Sequence, residues 1–329
     1  MSPTVRITGL GKYLPERVMP NTELERMVDT SDEWIRSRTG IGARRIAAPG
    51  ETAATLGVAA AREALAEAGV AAADLDLIIV GTSTPDHYAY PSTACLMQAE
   101  LGAERSGAFD LSAACSGFVY GLVVGAQFVQ TGAYRRVLVV GSEVNSRILD
   151  WRDRGTCVLF GDGAAAVVLE ASDAPGGLVA FELGADGSRA DSLIVPAGGS
   201  RRPASPETVE GRQHYIQMDG PEVYRFSTLV VPAVVERMCA QAGVEPSAID
   251  LLIPHQANSR IIQSAARRLA LQEGAVYMNL EHYGNTSAAS VPIALYEALA
   301  EGRLQSGHLL ALVGFGAGLT WAGALWRWH

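Results

Sequence analysis

The sequence predicts a layered α/β fold made of two similar halves. Two observations carry that expectation. Short β-rich runs alternate with Ala-rich helical runs along the chain, the pattern of helices laid over a sheet. In addition, Ala68-Gly-Val70 followed by Asp76-Leu-Ile-Ile79 recurs as Ala242-Gly-Val244 followed by Asp250-Leu-Leu-Ile253, a gapless offset of 174 residues. That offset is about half of the 329-residue chain, so the echo reads as a duplication.

Each element follows from its own pattern. Leu75 to Val80 and Arg136 to Gly141 are nearly unbroken apolar runs, which read as buried strands. Thr52 to Gly69 is rich in Ala and Leu and closes on glycine, a helix with its stop signal. Gly107 to Leu111 reads as a strand leading into a helix that starts near Ser116, and Ala165 to Glu170 as another strand. The turn-rich stretch Ser172 to Gly177 then places the join, giving halves 1–174 and 175–329. In the second half, the strand ending at Ile253 is followed by a helix from Arg260 to Ala270, and Gly198 to Gly211 reads as a long polar loop. Two such halves pressed face to face leave a cleft at their strand ends, a favoured place for a site.

Composition narrows the function. With 48% hydrophobic residues the chain has ample material for a large core. Its net charge of −9 argues against nucleic acid or a membrane surface as partner. Arginine carries nearly all the positive charge, since Lys12 is the only lysine. The most apolar stretch, Phe118 to Val129, is too short to span a bilayer and is interrupted by Gly121, Gly125 and Gln127. From Met1 the chain runs straight into apparent strand, without the apolar stretch of an export signal. Cys95, Cys115, Cys157 and Cys239 are scattered without metal-ligand spacing, as in a reducing compartment. The expectation is a cytoplasmic protein that uses neither metal nor redox cofactor.

Four segments could carry chemistry. In Asp110-Leu-Ser-Ala-Ala-Cys115-Ser-Gly-Phe118 a cysteine stands at the start of a helix between small residues, where unpaired N–H groups and the dipole favour a thiolate. The other three cysteines read as space-filling thiols. Ile253-Pro-His255-Gln-Ala-Asn258 places a histidine at the end of a strand, able to polarise a group or exchange a proton. Asn279 to Ser290 offers the neutral donor Asn285 within a run of small residues, and Gly314-Phe-Gly-Ala-Gly318 can turn backbone N–H groups toward one point. The last lacks the Lys-Ser/Thr of a P-loop.

Taken together these segments resemble the β-ketoacyl-acyl-carrier-protein synthase III family of the thiolase superfamily, over essentially the whole chain. Further matching segments are Thr30 to Ile41, Asp153-Arg-Gly-Thr156, Phe160-Gly-Asp-Gly163 and Tyr283 to Ser290. The resemblance implies a thiolase-like fold in five αβαβα layers. It implies a decarboxylative Claisen condensation of an acyl-CoA primer, acetyl-CoA foremost, with malonyl-ACP, initiating type II fatty-acid synthesis. It also implies a Cys115, His255 and Asn285 triad, with an oxyanion hole from the N–H groups of Cys115 and Gly318. Trp34, Arg38 and Arg154 match positions that hold the adenine and phosphate end of coenzyme A, and Asn258 a position in the pantetheine tunnel. The family is homodimeric. Tyr90 stands where a phenylalanine usually reaches the neighbouring subunit's acyl pocket. Arg260, Arg267 and Arg268 share one helix face, a basic patch for the acidic acyl carrier protein. His255, as a neutral donor, is expected to serve decarboxylation more than acylation of Cys115. Two alternatives share the fold: a polyketide-starter type of condensing or acyl-transfer enzyme, and hydroxymethylglutaryl-CoA synthase. The latter needs a glutamate base, and none is obvious ahead of Cys115.

Overall fold

The computed structural model describes residues 4–329. Met1, Ser2 and Pro3, with which the reading of the N-terminus begins, lie outside the described residues.

Five layers stack in order. The strands Leu77–Gly81, Gly107–Leu111, Arg136–Val144, Asp162–Ser172 and Thr4–Tyr13 make one sheet, with Leu77–Gly81 parallel to both Gly107–Leu111 and Arg136–Val144. The strands Leu251–Pro254, Leu309–Gly316, Thr320–Arg327 and Gly177–Ala185 make the other, with only the first two parallel. Helices Gly117–Gln130 and Ser290–Ala300 lie between the sheets. Helices Ala53–Ala68 and Thr93–Leu101 cover the outside of the first sheet, and Gly220–Ala242 and Ser259–Arg268 that of the second.

The strand sequences explain why both faces are covered. Leu77 and Ile79 point into the central core, while Ile78 and Val80 point into the outer one. A strand apolar at every position has no face to offer water, so helices must cover both sides. Burying each such side chain stabilises the fold by about 1.5–3 kcal/mol.

The echo in the sequence is an echo in structure. The helices Ala53–Ala68 and Gly220–Ala242 both end on a left-handed glycine, Gly69 at φ 65° and Gly243 at φ 67°. Each is followed by a 3-10 turn, Ala72–Asp74 or Pro246–Ala248, and then by the repeated strand. The repeated aspartates have a shared task. Asp76 accepts backbone N–H bonds from Arg135 and Arg136, and Asp250 accepts one from Leu309, tying each unit to the next strand of its sheet. The repetition reaches the active region too. The turn Ala114–Ser116 before one central helix matches the turn Ser287–Ala289 before the other. Both turns contain a non-glycine residue in the left-handed region, Ala114 at φ 48° and Ser287 at φ 50°.

One stretch differs from the sequence reading. The stretch read as a polar loop from Gly198 to Gly211 contains the helix Pro206–Glu210, started by a capping box between Ser205 and Thr208. That Ser-Pro-x-x pattern is a helix-start signal hidden by the surrounding glycines and arginines. The cysteine stands where the sequence places it, at the start of the central helix, on the tight turn Ala114–Ser116.

Candidate active site

Cys115 is presented by the turn between the strand Gly107–Leu111 and the helix Gly117–Gln130. Holding Ala114 at positive φ costs on the order of 1 kcal/mol, and surrounding packing must maintain it. That packing uses glycines. A Cβ at Gly81 would stand 2.6 Å from the Gly117 carbonyl carbon, and one at Gly314 2.8 Å from Ser116 Cα. At Gly316 it would stand 2.8 Å from Cys115 N and 2.9 Å from Cys115 Cβ. The Thr320 hydroxyl bonds the carbonyls of Ala113 and Ala317, at 2.9 and 3.0 Å, joining the glycine turn to the nucleophile turn. Gly316→Ala is therefore expected to displace Cys115, destabilising the protein by about 1–3 kcal/mol and suppressing alkylation of Cys115 by iodoacetamide. A thermal melt and a labelling time course measure both.

The three residues expected to form a triad line one cavity of about 180 Å³, together with Asn258. His255 directly follows the strand Leu251–Pro254, and its N–H donates to Val313 O at 2.7 Å. Its ring is buried, with Nδ1 2.6 Å from Ser290 Oγ and the Phe315 ring edge-on at 5.0 Å. Ser290 occupies Nδ1 and so leaves Nε2 for the cavity. Asn285 is oriented by its own turn, since Ser287 N donates to its Oδ1 at 2.8 Å. The amide oxygen is thereby engaged, leaving the N–H₂ end as the donor.

Burial decides the charge states. His255 is pushed down to about 3 by burial, so its imidazole is neutral throughout the physiological range. The Cys115 thiol is pushed up to about 12, chiefly by burial, with a hydrogen bond from Ser287 opposing and the Glu143 carboxylate adding to it. This corrects the sequence reading of a thiolate favoured by the helix start. A helix N-terminus contributes at most about 2 kcal/mol, whereas a rise from 9.0 to about 12 corresponds to roughly 4 kcal/mol. The resting pair is thiol and neutral imidazole.

A second cavity of about 190 Å³ shares Cys115, Phe160 and Leu193 with the first and is further walled by Ile148, Val195 and Ile216. Ala317 lines it, whereas Gly318, at φ 131°, is not among the residues lining either cavity. Tyr90 lines neither cavity; it is 86% exposed. Asn258 connects the first cavity to the surface. It caps the helix Ser259–Arg268 and donates to Arg38 O at 3.1 Å. Beyond it Arg154 stacks on the Trp34 ring at 4.8 Å, and the Arg38 side chain is exposed. Arg260, Arg267 and Arg268 are all exposed, though not equivalent: Arg260 donates to Ser37 O at 2.6 Å, and Arg268 pairs with Glu236 at 3.5 Å.

Sequence reasoning did not single out Ser290, Phe315 or Glu143. Ser290 closes a quoted motif, but nothing in one sequence shows that it meets His255. Glu143 carried the clearer signal, as a carboxylate within the last residues of a strand that is otherwise mostly apolar.

Comparison with known proteins shows the family. Family models described as 3-oxoacyl-[acyl-carrier-protein (ACP)] synthase III and its C-terminal part match residues 109–187 and 239–328. A β-ketoacyl-[acyl-carrier-protein] synthase III of Symbiobacterium thermophilum is 54% identical over 324 residues, covering 98% of both chains. The crystal structure of 3-oxoacyl-[acyl-carrier-protein] synthase III from Aquifex aeolicus VF5 superposes with a TM-score of 0.91 at 45% identity, covering 98% of this chain and 100% of that one. The priming β-ketosynthase of the R1128 polyketide pathway superposes at 0.90 with 38% identity, covering 99% and 97%. Fold, site and relatives meet in one assignment: the chain belongs to the β-ketoacyl-acyl-carrier-protein synthase III family, on the thiolase fold.

Proposed function

We propose that Cys115, His255 and Asn285 carry out a decarboxylative Claisen condensation, in which an acyl-CoA primer is joined to malonyl-ACP to give 3-oxoacyl-ACP. The carrying observation is the single cavity that all three line, with cysteine and histidine both buried and uncharged. Cys115 attacks the primer thioester while His255 Nε2 accepts the thiol proton and passes it to the departing CoA thiolate. The tetrahedral oxyanion is received by the N–H of Cys115 and by a backbone N–H of the glycine turn, where Ala317, rather than the expected Gly318, lines a cavity with Cys115. Malonyl-ACP then binds and loses carbon dioxide, leaving an enolate. Two neutral donors, His255 and Asn285, hold its oxygen without protonating its carbon. The carbon attacks the Cys115 thioester, and the released Cys115 thiolate takes up one proton from solvent, replacing the one that left with CoA. Ser290 suits both stages, because a hydroxyl can accept from Nδ1–H or donate to Nδ1.

Acetyl-CoA heads the expected primers, and the apolar second cavity gives volume for longer ones. Trp34, Arg38 and Arg154 at the mouth receive the nucleotide end, and Asn258 the pantetheine arm. The protein works as a homodimer in the cytoplasm. The strand Gly107–Leu111 is a sheet edge with Phe109 36% exposed, and Tyr88 and Tyr90 stand out on a nearby loop. Exposed edges and aromatic side chains suit a second copy, which takes Tyr90 into its acyl pocket. Among the described residues no helix is long and apolar enough to cross a membrane. The polyketide-starter alternative is not favoured, given 54% identity to a β-ketoacyl-[acyl-carrier-protein] synthase III against 38% to the R1128 priming β-ketosynthase.

A condensation assay with malonyl-ACP across a panel of acyl-CoA primers tests the function. Product with none of them contradicts it. Arg267→Glu is expected to raise the KM for malonyl-ACP about tenfold at low salt and less at high salt, as for an exposed docking charge. Acylation by acyl-CoA should be unchanged, which a separate labelling rate measures.

A further inference from the structure

Glu143 is the last residue but one of the strand Arg136–Val144 and is wholly buried, without an ion-pair partner among the described residues. A buried carboxyl with no cation is expensive unless its oxygens are well occupied. Here five donors converge on it. Oε2 accepts from Ser83 N at 3.0 Å, Thr84 Oγ1 at 2.7 Å and Thr82 Oγ1 at 3.4 Å. Oε1 accepts from Ser287 Oγ at 2.8 Å and Ala288 N at 3.4 Å. The first three come from the nucleophile half of the chain and the last two from the half that carries Asn285.

The second set matters for chemistry. Ser287 holds a left-handed conformation without being glycine. One of its groups is fixed by Glu143, and another, its N–H, fixes Asn285 Oδ1. The strained turn that aims the Asn285 amide is thus held from behind by a carboxyl of the opposite half. The other two buried charged side chains do no comparable work. Asp162 is satisfied by Ser146 and Ala47, and the two terminal nitrogens of Arg44 are held by Asn21 and the carbonyls of Met19 and Val158.

We propose that Glu143 is a positioning residue for condensation: through Ser287 it sets the orientation in which Asn285 meets the enolate. The carboxyl touches no reacting atom. Its action passes along the chain Glu143 Oε1, Ser287 Oγ, Ser287 N and Asn285 Oδ1. This rests on the reading of Asn285 as an enolate donor.

The test separates the two half-reactions in the full-length protein. Transfer of a radiolabelled acetyl group from acetyl-CoA to Cys115 reads acylation, and carbon dioxide release from malonyl-ACP on the acylated enzyme reads condensation. Glu143→Ala should lower condensation about 30-fold and acylation less than about threefold, within the range of couplings between groups in one hydrogen-bond network. Glu143→Gln, which keeps one acceptor oxygen, should recover part of the loss. Adding Asn285→Ala to Glu143→Ala should then cost much less than Asn285→Ala costs alone. A structural role only would lower both half-reactions together and leave the two substitutions multiplicative, and either result overturns the proposal. If Glu143→Ala does not fold, Glu143→Gln, with a smaller loss in the same direction, takes its place in the cycle. Condensation undiminished in Asn285→Ala alone would overturn the enolate reading as well, whereas a large loss there with none in Glu143→Ala overturns only the link.

Discussion

Cys115→Ala is expected to abolish acyl-enzyme formation and lower condensation at least about a thousandfold, the scale on which removing a covalent nucleophile acts. The reason is local. Cys95 is exposed on the outer helix Thr93–Leu101, Cys157 and Cys239 are buried in other clusters, and Cys115 alone of the four thiols lines the cavities. The substitution leaves the enolate side of the site in place, because Ser290 and Phe315 still seat His255 and Ser287 still orients Asn285. Release of carbon dioxide from malonyl-ACP should therefore persist in Cys115→Ala, uncoupled from product. Intact-protein mass spectrometry after exposure to acyl-CoA, with a carbon dioxide assay alongside, reads both halves. An acyl adduct on another residue that turns over normally would contradict the assignment.

His255→Ala is expected to lose about a hundredfold to ten-thousandfold in decarboxylation, the range attributed to positioned acid, base and oxyanion groups. The sequence reading expected acylation of Cys115 to survive this change, and burial alters that expectation. A thiol raised to about 12 is almost wholly protonated at pH 7, so attack needs a proton acceptor, and His255 is the one imidazole lining the cavity. Acylation should fall in His255→Ala as well, and recover close to tenfold per pH unit as alkali supplies the thiolate. In the parent protein the sign is different. His255 is depressed to about 3 by burial, so lowering the pH from 8 to 5 leaves it neutral in the free enzyme. Its imidazole NMR resonances should stay fixed over that span. Titration near pH 6.5 would show that solvent reaches the ring, and acylation untouched in His255→Ala would show that the helix start does stabilise a thiolate.

Much of the fold was legible because its causes are local. The strand Leu77–Gly81 announced itself as an unbroken apolar run, and Gly69 and Gly243 marked the same helix stop in both halves. The aspartates Asp76 and Asp250 made the duplication visible because each does the same bonding in its own sheet. The residues meeting at the cavity were legible as motifs of small residues around one reactive side chain. Their charge states were not, since depth of burial is a property of the assembled layers. The same holds for Glu143, whose partners come from segments about 60 and 144 residues away. The helix Pro206–Glu210 was missed for a different reason: its cap was present, but one turn is too short for a periodic pattern to show.

One measurement bears most directly on the central claim that Cys115 carries the acyl group between the two substrates. The enzyme is acylated with labelled acyl-CoA, freed of excess CoA ester, and mixed with malonyl-ACP in a single turnover. The label should leave Cys115 at the rate at which carbon dioxide and 3-oxoacyl-ACP appear, one for one. Label that stays on Cys115 while product forms from fresh acyl-CoA would contradict it.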